Sequence, residues 1–267
     1  MNSKKIILVT FFLIIILMLF TGCGEKEEET LKVGMELKWP PFETTDSKGD
    51  AEGISVVIAE ELGEYLGMEV EIVDLPFNSL IPALETEKID VIIASMSITD
   101  DRLEKINFSE PYMYFKILSV VNVDSGINNY EDIFSIKGLK FVAPKSFATL
   151  DIARENANDP IILEFDDKAT ASFELASGNA DIFMVDAVGA VSIAKNYPDE
   201  LKVIYEPVDV SPIGMGVRKD DEELLASINE FIGKAEELGV NDRIRNEYND
   251  TLMEMVGKGY EFYLNED

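Results

Sequence analysis

Residues 88–112 read KIDVIIASMSITDDRLEKINFSEPY. Ile89-Asp90-Val91-Ile92-Ile93-Ala94 is a short apolar run rich in β-branched residues, the pattern of a strand buried on both faces of a parallel sheet. At its C-terminal end the polarity switches to Ser95-Met96-Ser97. Side chains alternate along a strand, so Ser95 and Ser97 share one side and Met96 takes the other. Thr99 is placed as a helix N-cap, with Asp100 and Asp101 in a first turn whose positive dipole end suits acids. Arg102 opposes that dipole, and a local rule broken without visible compensation points to function. Two hydroxyls and a guanidinium at the carboxyl end of a parallel strand make a carboxylate receptor. The arginine is a planar two-pronged donor, and the hydroxyls and helix amides add single donors. An ion pair of Arg102 with Asp100, Asp101 or Glu110 accounts for the same residues without a ligand.

Working outward, residues 31–35 form a strand ending at Glu36. Leu37-Lys38-Trp39-Pro40-Pro41-Phe42 is a loop, since two prolines exclude regular structure. A helix over residues 55–66 has Ser55 as its N-cap and Gly67 as its stop. Residues 68–73 form a second strand, and a helix from residue 79 tolerates Pro82 near its start. The order is that of an α/β sheet with right-handed crossovers. A strand over residues 118–121 leads into a second α/β set. Its strands cover 139–143, 161–165 and 180–185, and its helices begin near residues 149, 170 and 187. Residues 201–205 and 213–217 are the last strands, with 206–212 as a return crossing. Helices over 222–238 and 242–263 pack back on the first unit.

The chain has 267 residues, 52 acids against 23 bases and no histidine, for a formal charge of −29. That balance excludes nucleic acid as a partner, because phosphate backbones require basic patches. Without histidine the commonest general base and transition-metal ligand are missing, and no cofactor or metal is expected. Lys4 and Lys5 precede an apolar stretch over residues 6–20, too short to span a bilayer comfortably. It ends in Leu19-Phe20-Thr21-Gly22-Cys23, which resembles the lipobox of prokaryotic lipoproteins. Residues 1–22 are therefore expected to be a signal peptide. Cys23 is expected to be a lipidated N-terminus and residues 23–30 an acidic tether.

LKVGMELKWPPFE, GISVVIAEELGEYLG, FNSLIPALETEKIDVIIASMSITDDR and INFSEPYM in the first half carry a resemblance. FVAPKSFATLDIARE and ELASGNADIFMVDAV carry it in the second. Together they resemble extracellular solute-binding proteins of family 3, which serve polar amino-acid ABC importers. The resemblance implies the two-lobed periplasmic-binding-protein type II fold, each lobe a mostly parallel α/β sheet flanked by helices. Lobe 1 would be residues 31–115 with 212–267, and lobe 2 residues 116–211. It implies a monomer that is not an enzyme, held outside the cytoplasmic membrane by its lipid and delivering to a membrane permease.

By the same resemblance, Arg102 grips the ligand's α-carboxylate, with Ser95, Met96 and Ser97 beside it. Trp39 stacks on the ligand, Glu36 faces its side chain, and Asp186 receives its α-ammonium. The loop over residues 146–149, including Phe147 and Ala148, donates amides to the carboxylate. Ile54 stands where the family has an aromatic wall, and Phe147 puts a bulky ring near the anion site. Glu36 tilts the side-chain expectation towards a basic or amide group. Two rivals share this fold: a secreted cyclohexadienyl dehydratase using a buried acid, and a sensory receptor using the same closure.

Overall fold

A computed structural model describes residues 30–145 and 147–256. The expected signal peptide, the lipidation site Cys23 and residues 24–29 of the tether lie outside the described residues. So do Ser146 and the last part of the C-terminal helix.

The described chain builds strands β1 (Thr30–Met35), β2 (Thr44–Thr45), β3 (Ala51–Glu52), β4 (Glu69–Asp74), β5 (Val91–Ile92) and β6 (Asn107–Phe108). Helices α1 (Ile54–Leu66), α2 (Leu80–Glu85) and α3 (Asp100–Leu103) are interleaved with them. In the second half come β7 (Met113–Asn122), β8 (Lys140–Pro144), β9 (Ile161–Phe165), β10 (Ile182–Asp186), β11 (Leu201–Ile213) and β12 (Gly216–Val217). Their helices are α4 (Tyr130–Ser135), α5 (Thr149–Asn156), α6 (Lys168–Ala176), α7 (Ala187–Asn196), α8 (Glu222–Lys234) and α9 (Val240–Val256).

These strands form two five-stranded sheets, ordered β4-β1-β5-β12-β6 and β11-β7-β10-β8-β9. In the first, β1 runs parallel to β4 and β5, while β12 returns antiparallel between β5 and β6. In the second, β8 is parallel to β9 and β10, whereas β7 is antiparallel to β10 and β11. Both sheets are thus mixed. Each carries its own apolar core: Val33, Ile58, Leu62 and Val91 in one, Val120, Phe141, Leu175 and Phe183 in the other.

β7 and β11 carry the chain between the lobes. They pair antiparallel from Leu201–Asn122 at one end to Ile213–Met113 at the other, with a register shift between Ile204 and Asp209. Met113 and Ile213 sit in the first core, and Ile117, Leu118 and Leu201 in the second. Residues 206–212, read from the sequence as a return crossing, lie within β11, where Asp209–Ile213 pair with Ile117–Met113 of β7 beyond the register shift.

The N-cap expectation at Ser55 is corrected. Gly53 holds the cap position at φ 130°, and no side chain caps α1. The amides of Ile54 and Ser55 instead donate to the carbonyls of Pro41 and Phe42 at 3.0 and 2.8 Å. The Pro-rich loop therefore caps the helix with its own backbone and leaves the Ser55 hydroxyl for another task. At Thr99 the expected cap position and extended backbone are found, without a side-chain bond.

Candidate functional site

Between the sheets lies a cavity of about 540 Å³, lined from both lobes. Glu36, Trp39, Ser95, Ser97 and Arg102 reach it from the first lobe, and Phe147, Ala148 and Asp186 from the second. Eight sequence-selected residues thus meet on one surface. Two others do not: Ile54 and Met96 are 0% and 1% exposed inside the first core and do not line the cavity. Met96 follows from strand alternation, which turns it away from its serine neighbours.

Ser95 ends the buried strand in a left-handed conformation, φ 50°, which is uncommon for a residue with a Cβ. The turn aims the Ser97 carbonyl at Arg102, whose Nη1 donates to it at 2.6 Å. The guanidinium also lies over Phe77, 5.4 Å from the ring centroid. Burial lowers the Arg102 pKa to about 10, against a rise from the charge of Asp151, so the group stays cationic at neutral pH. An anion entering the cavity meets a fixed, partly desolvated positive charge, where electrostatic contacts are stronger than in water.

On the opposite wall Asp186 closes β10 and caps α7, its Oδ1 accepting from the Gly189 amide at 2.9 Å. It is 6% exposed. Burial raises its pKa, opposed by the Gly189 amide and the charge of Lys168. Asp186 is thus helix cap and cavity-lining acid in one carboxylate.

Trp39 packs against both cores and meets Phe147 edge-on at 5.8 Å between centroids. Its amide donates to the Glu43 carbonyl at 2.7 Å, and the Phe42 amide to the Trp39 carbonyl at 2.9 Å. This tight turn brings Trp39 and Glu43 together at the cavity. Glu36 lies at the rim, its carboxylate 4.0 Å from Lys38 Nζ.

Two residues on the cavity wall escaped the sequence reading as site groups. Glu43 is 2% exposed, and its Oε2 accepts from Ser55 Oγ at 2.6 Å and Ser95 Oγ at 3.0 Å. Burial raises its pKa to about 8, against lowering by the two hydroxyls and with a further rise from Asp186 and Glu36. Glu43 therefore holds a proton at neutral pH. The fully buried Tyr112 phenol beside it is pushed up in turn, by burial first and then by Glu43. The second residue is Lys168, whose Nζ lies over Trp39, 3.5 Å from the ring centroid. A cation in the first turn of α6 opposes the helix dipole, the same signal that marked Arg102. The sequence reading began that helix at residue 170 and so missed it.

A family model for bacterial extracellular solute-binding proteins, family 3, matches residues 31–251. The chain belongs to this family. The L-cystine-binding protein TcyJ of Escherichia coli K12 is 29% identical over 216 residues, 80% of each chain. Among solved structures, the putative binding component of an ABC transporter from Wolinella succinogenes, complexed with lysine, is 28% identical with a TM-score of 0.71. That match covers 81% of this chain and 94% of the other. An ancestral amino-acid-binding protein described as a precursor of cyclohexadienyl dehydratase is 30% identical with a TM-score of 0.70, over 82% and 94% of the two chains. The two-lobed solute-binding fold is thus common to this chain and these neighbours. Among the described residues no His, Cys, Asp and Glu cluster is arranged to hold a metal ion, and no helix is long and apolar enough to cross a membrane.

Proposed function

We infer that this family 3 protein captures a polar α-amino acid between its lobes and delivers it to an ABC importer. One observation carries the reading: Arg102 and Asp186 reach the same cavity from opposite lobes. A zwitterion needs a cation and donors at one end and an acid at the other. Because the two charges belong to different lobes, neither lobe alone satisfies the ligand, and ligand binding favours closure. Arg102 takes the α-carboxylate with Ser95, Ser97 and the amides at the start of α5. Asp186 takes the α-ammonium with an oxygen that the Gly189 amide does not use. Trp39 and Phe147 supply an apolar wall. Amino-acid ligands of relatives and neighbours, L-cystine and lysine among them, support this class. Lipidation of Cys23 would tether the receptor beside a membrane permease.

The test is a thermal-shift screen of the mature chain against all amino acids. A ligand at 100 times its dissociation constant stabilises by about 2.7 kcal/mol, an easily read shift. The expected hit disappears in Arg102→Ala while the unliganded melting temperature stays near wild type. Lack of any hit on protein stripped of carried-over ligand would overturn the reading.

A second reading rests on Glu43. A buried carboxylic acid protonated at neutral pH is a competent proton donor, and one structural neighbour is described as a dehydratase precursor. Turnover of prephenate or arogenate, abolished by Glu43→Gln, would establish it. Binding without turnover leaves the receptor reading.

A further inference from the structure

We propose that Lys168 is a specificity-determining residue of this cleft: its ammonium, held over the face of Trp39, selects an amino acid whose side chain ends in a second carboxylate and rejects one ending in a cation. The inference rests on the amino-acid-receptor reading above.

Lys168 opens α6 in the second lobe, where Asp167 caps the helix by accepting from the Thr170 amide at 2.8 Å. The half-buried side chain reaches across the cleft to the first lobe's Trp39, 3.5 Å from the ring centroid. Among the described residues its Nζ forms neither a hydrogen bond nor an ion pair; the aromatic face is its short-range contact. An ammonium removed from water without an acceptor is costly, and a ring face replaces only part of its hydration.

Charge matching within the cavity decides what the missing acceptor is. Arg102 is matched by the ligand's α-carboxylate and Asp186 by its α-ammonium. Glu43 holds its proton. Glu36 sits at the rim opposite Lys38, Asp166 pairs with Lys145, and Asp167 is taken up by the amide and hydroxyl of Thr170. Among the described residues Lys168 is left as the cavity cation without an ion-pair partner, facing the space for the ligand's side chain. A lysine or arginine side chain would bring a second cation into that space. A distal carboxylate would supply the acceptor and turn a strained cation into an ion pair across the two lobes. It would also tie lobe 2 to the ligand's far end, so that closure reports the side chain as well as the α-carbon groups. Glu36 alone favours a basic or amide side chain; Lys168 feels the charges of Asp186 and Glu36 but forms an ion pair with neither among the described residues, and its preference for a distal carboxylate prevails.

The test measures dissociation constants of L-glutamate, L-cystine, L-lysine and L-arginine for wild type, Lys168→Gln and Lys168→Glu. Unliganded melting temperatures confirm that each variant folds. Wild type is expected to prefer glutamate, whose side chain ends in a carboxylate alone, over cystine, whose far end carries an ammonium as well. Lys168→Gln should weaken glutamate by roughly thirtyfold or more, the usual effect of removing one partner of a desolvated ion pair. Lys168→Glu should reverse the order and admit lysine or arginine. Wild-type preference for lysine or arginine, abolished by Arg102→Ala but indifferent to Lys168→Gln, overturns the role of Lys168 and keeps the receptor reading. Lack of binding of any of the four, and of every other amino acid, overturns both.

Discussion

The hydroxyl of Ser55, in the first turn of α1, donates to the buried carboxyl of Glu43 at 2.6 Å. Ser95 reaches the same oxygen at 3.0 Å from the end of the central strand. One carboxyl group thus ties the helix start, the Trp39 loop and the Ser95 turn together. Its pKa is raised from 4.5 to about 8, chiefly by burial. A raised acid keeps its proton longer in the folded state than in the unfolded one, so folding takes up a proton between those two values. The stability it contributes is full below pH 4.5 and lost as pH rises through 8, with a slope of at most ~1.4 kcal/mol per pH unit. Asp186, also raised, adds in the same sense. Urea unfolding at several pH values should therefore show stability falling from pH 5 to 8, and Glu43→Gln should flatten that slope. An unchanged slope in the variant would mean that Glu43 is ionised throughout.

Gly53 permits this junction. At φ 130° it occupies a region closed to residues with a Cβ, and an added methyl would run into the Phe42 carbonyl while lying 2.9 Å from that of Pro41. Those carbonyls accept the first amides of α1, so they cannot move without exposing the helix end. Gly53→Ala should cost roughly 2–4 kcal/mol, read as a lowered urea midpoint at constant m. A loss under ~1 kcal/mol would show that the loop yields easily.

Trp39 is the only tryptophan in the chain, and it touches both lobes and the Lys168 ammonium. Its emission should respond to ligand as a saturable change, because the ring's neighbours alter when the cavity fills. Trp39→Phe should remove the signal with a modest change in affinity, and Trp39→Ala should weaken binding by roughly tenfold. If calorimetry detects binding while emission stays flat, Trp39 does not form part of the occupied site.

Much of this arrangement was legible in the chain because its signals are local. The run Ile89–Ala94 is buried as its composition demands, although only Val91 and Ile92 join the ladder before the Ser95 turn. Arg102 was marked by a helix-dipole argument, although its helix is a single turn that counts it in the last turn as well, and Asp186 came from the family pattern. Glu43 gave no such signal. An acid after Pro-Pro-Phe reads as a solvated loop residue until Ser55 and Ser95, 12 and 52 positions away, close over it. Ser55 was misread for the same reason, since its hydroxyl answers a distant carboxyl and the helix amides find backbone acceptors. Ile54 was assigned to the cavity by its position in a family pattern, yet α1 turns it fully into the core.

Gly189 is the second place where a missing side chain shapes the site. It lies in the first turn of α7, where a methyl would come within 2.8 Å of Asp186 Oδ2 and Val185 Cγ2 and 3.2 Å of Trp39 Cζ2. Its absence lets the first lobe's tryptophan approach the second lobe's helix while the Asp186 carboxylate keeps its cavity-facing pose. Alanine is the better helix former by roughly 0.8–1 kcal/mol, which offsets some of the crowding, so Gly189→Ala should fold with a stability within ~1 kcal/mol of wild type. Binding should suffer instead. The methyl displaces Asp186 from the ammonium position and presses Trp39 away, raising the dissociation constant by roughly tenfold or more, since a misplaced charged partner loses most of its contribution. Calorimetric titration alongside thermal unfolding separates the two effects. Unimpaired affinity in a stable Gly189→Ala protein would mean that neither the Asp186 carboxylate nor the Trp39 contact to α7 takes part in holding the ligand.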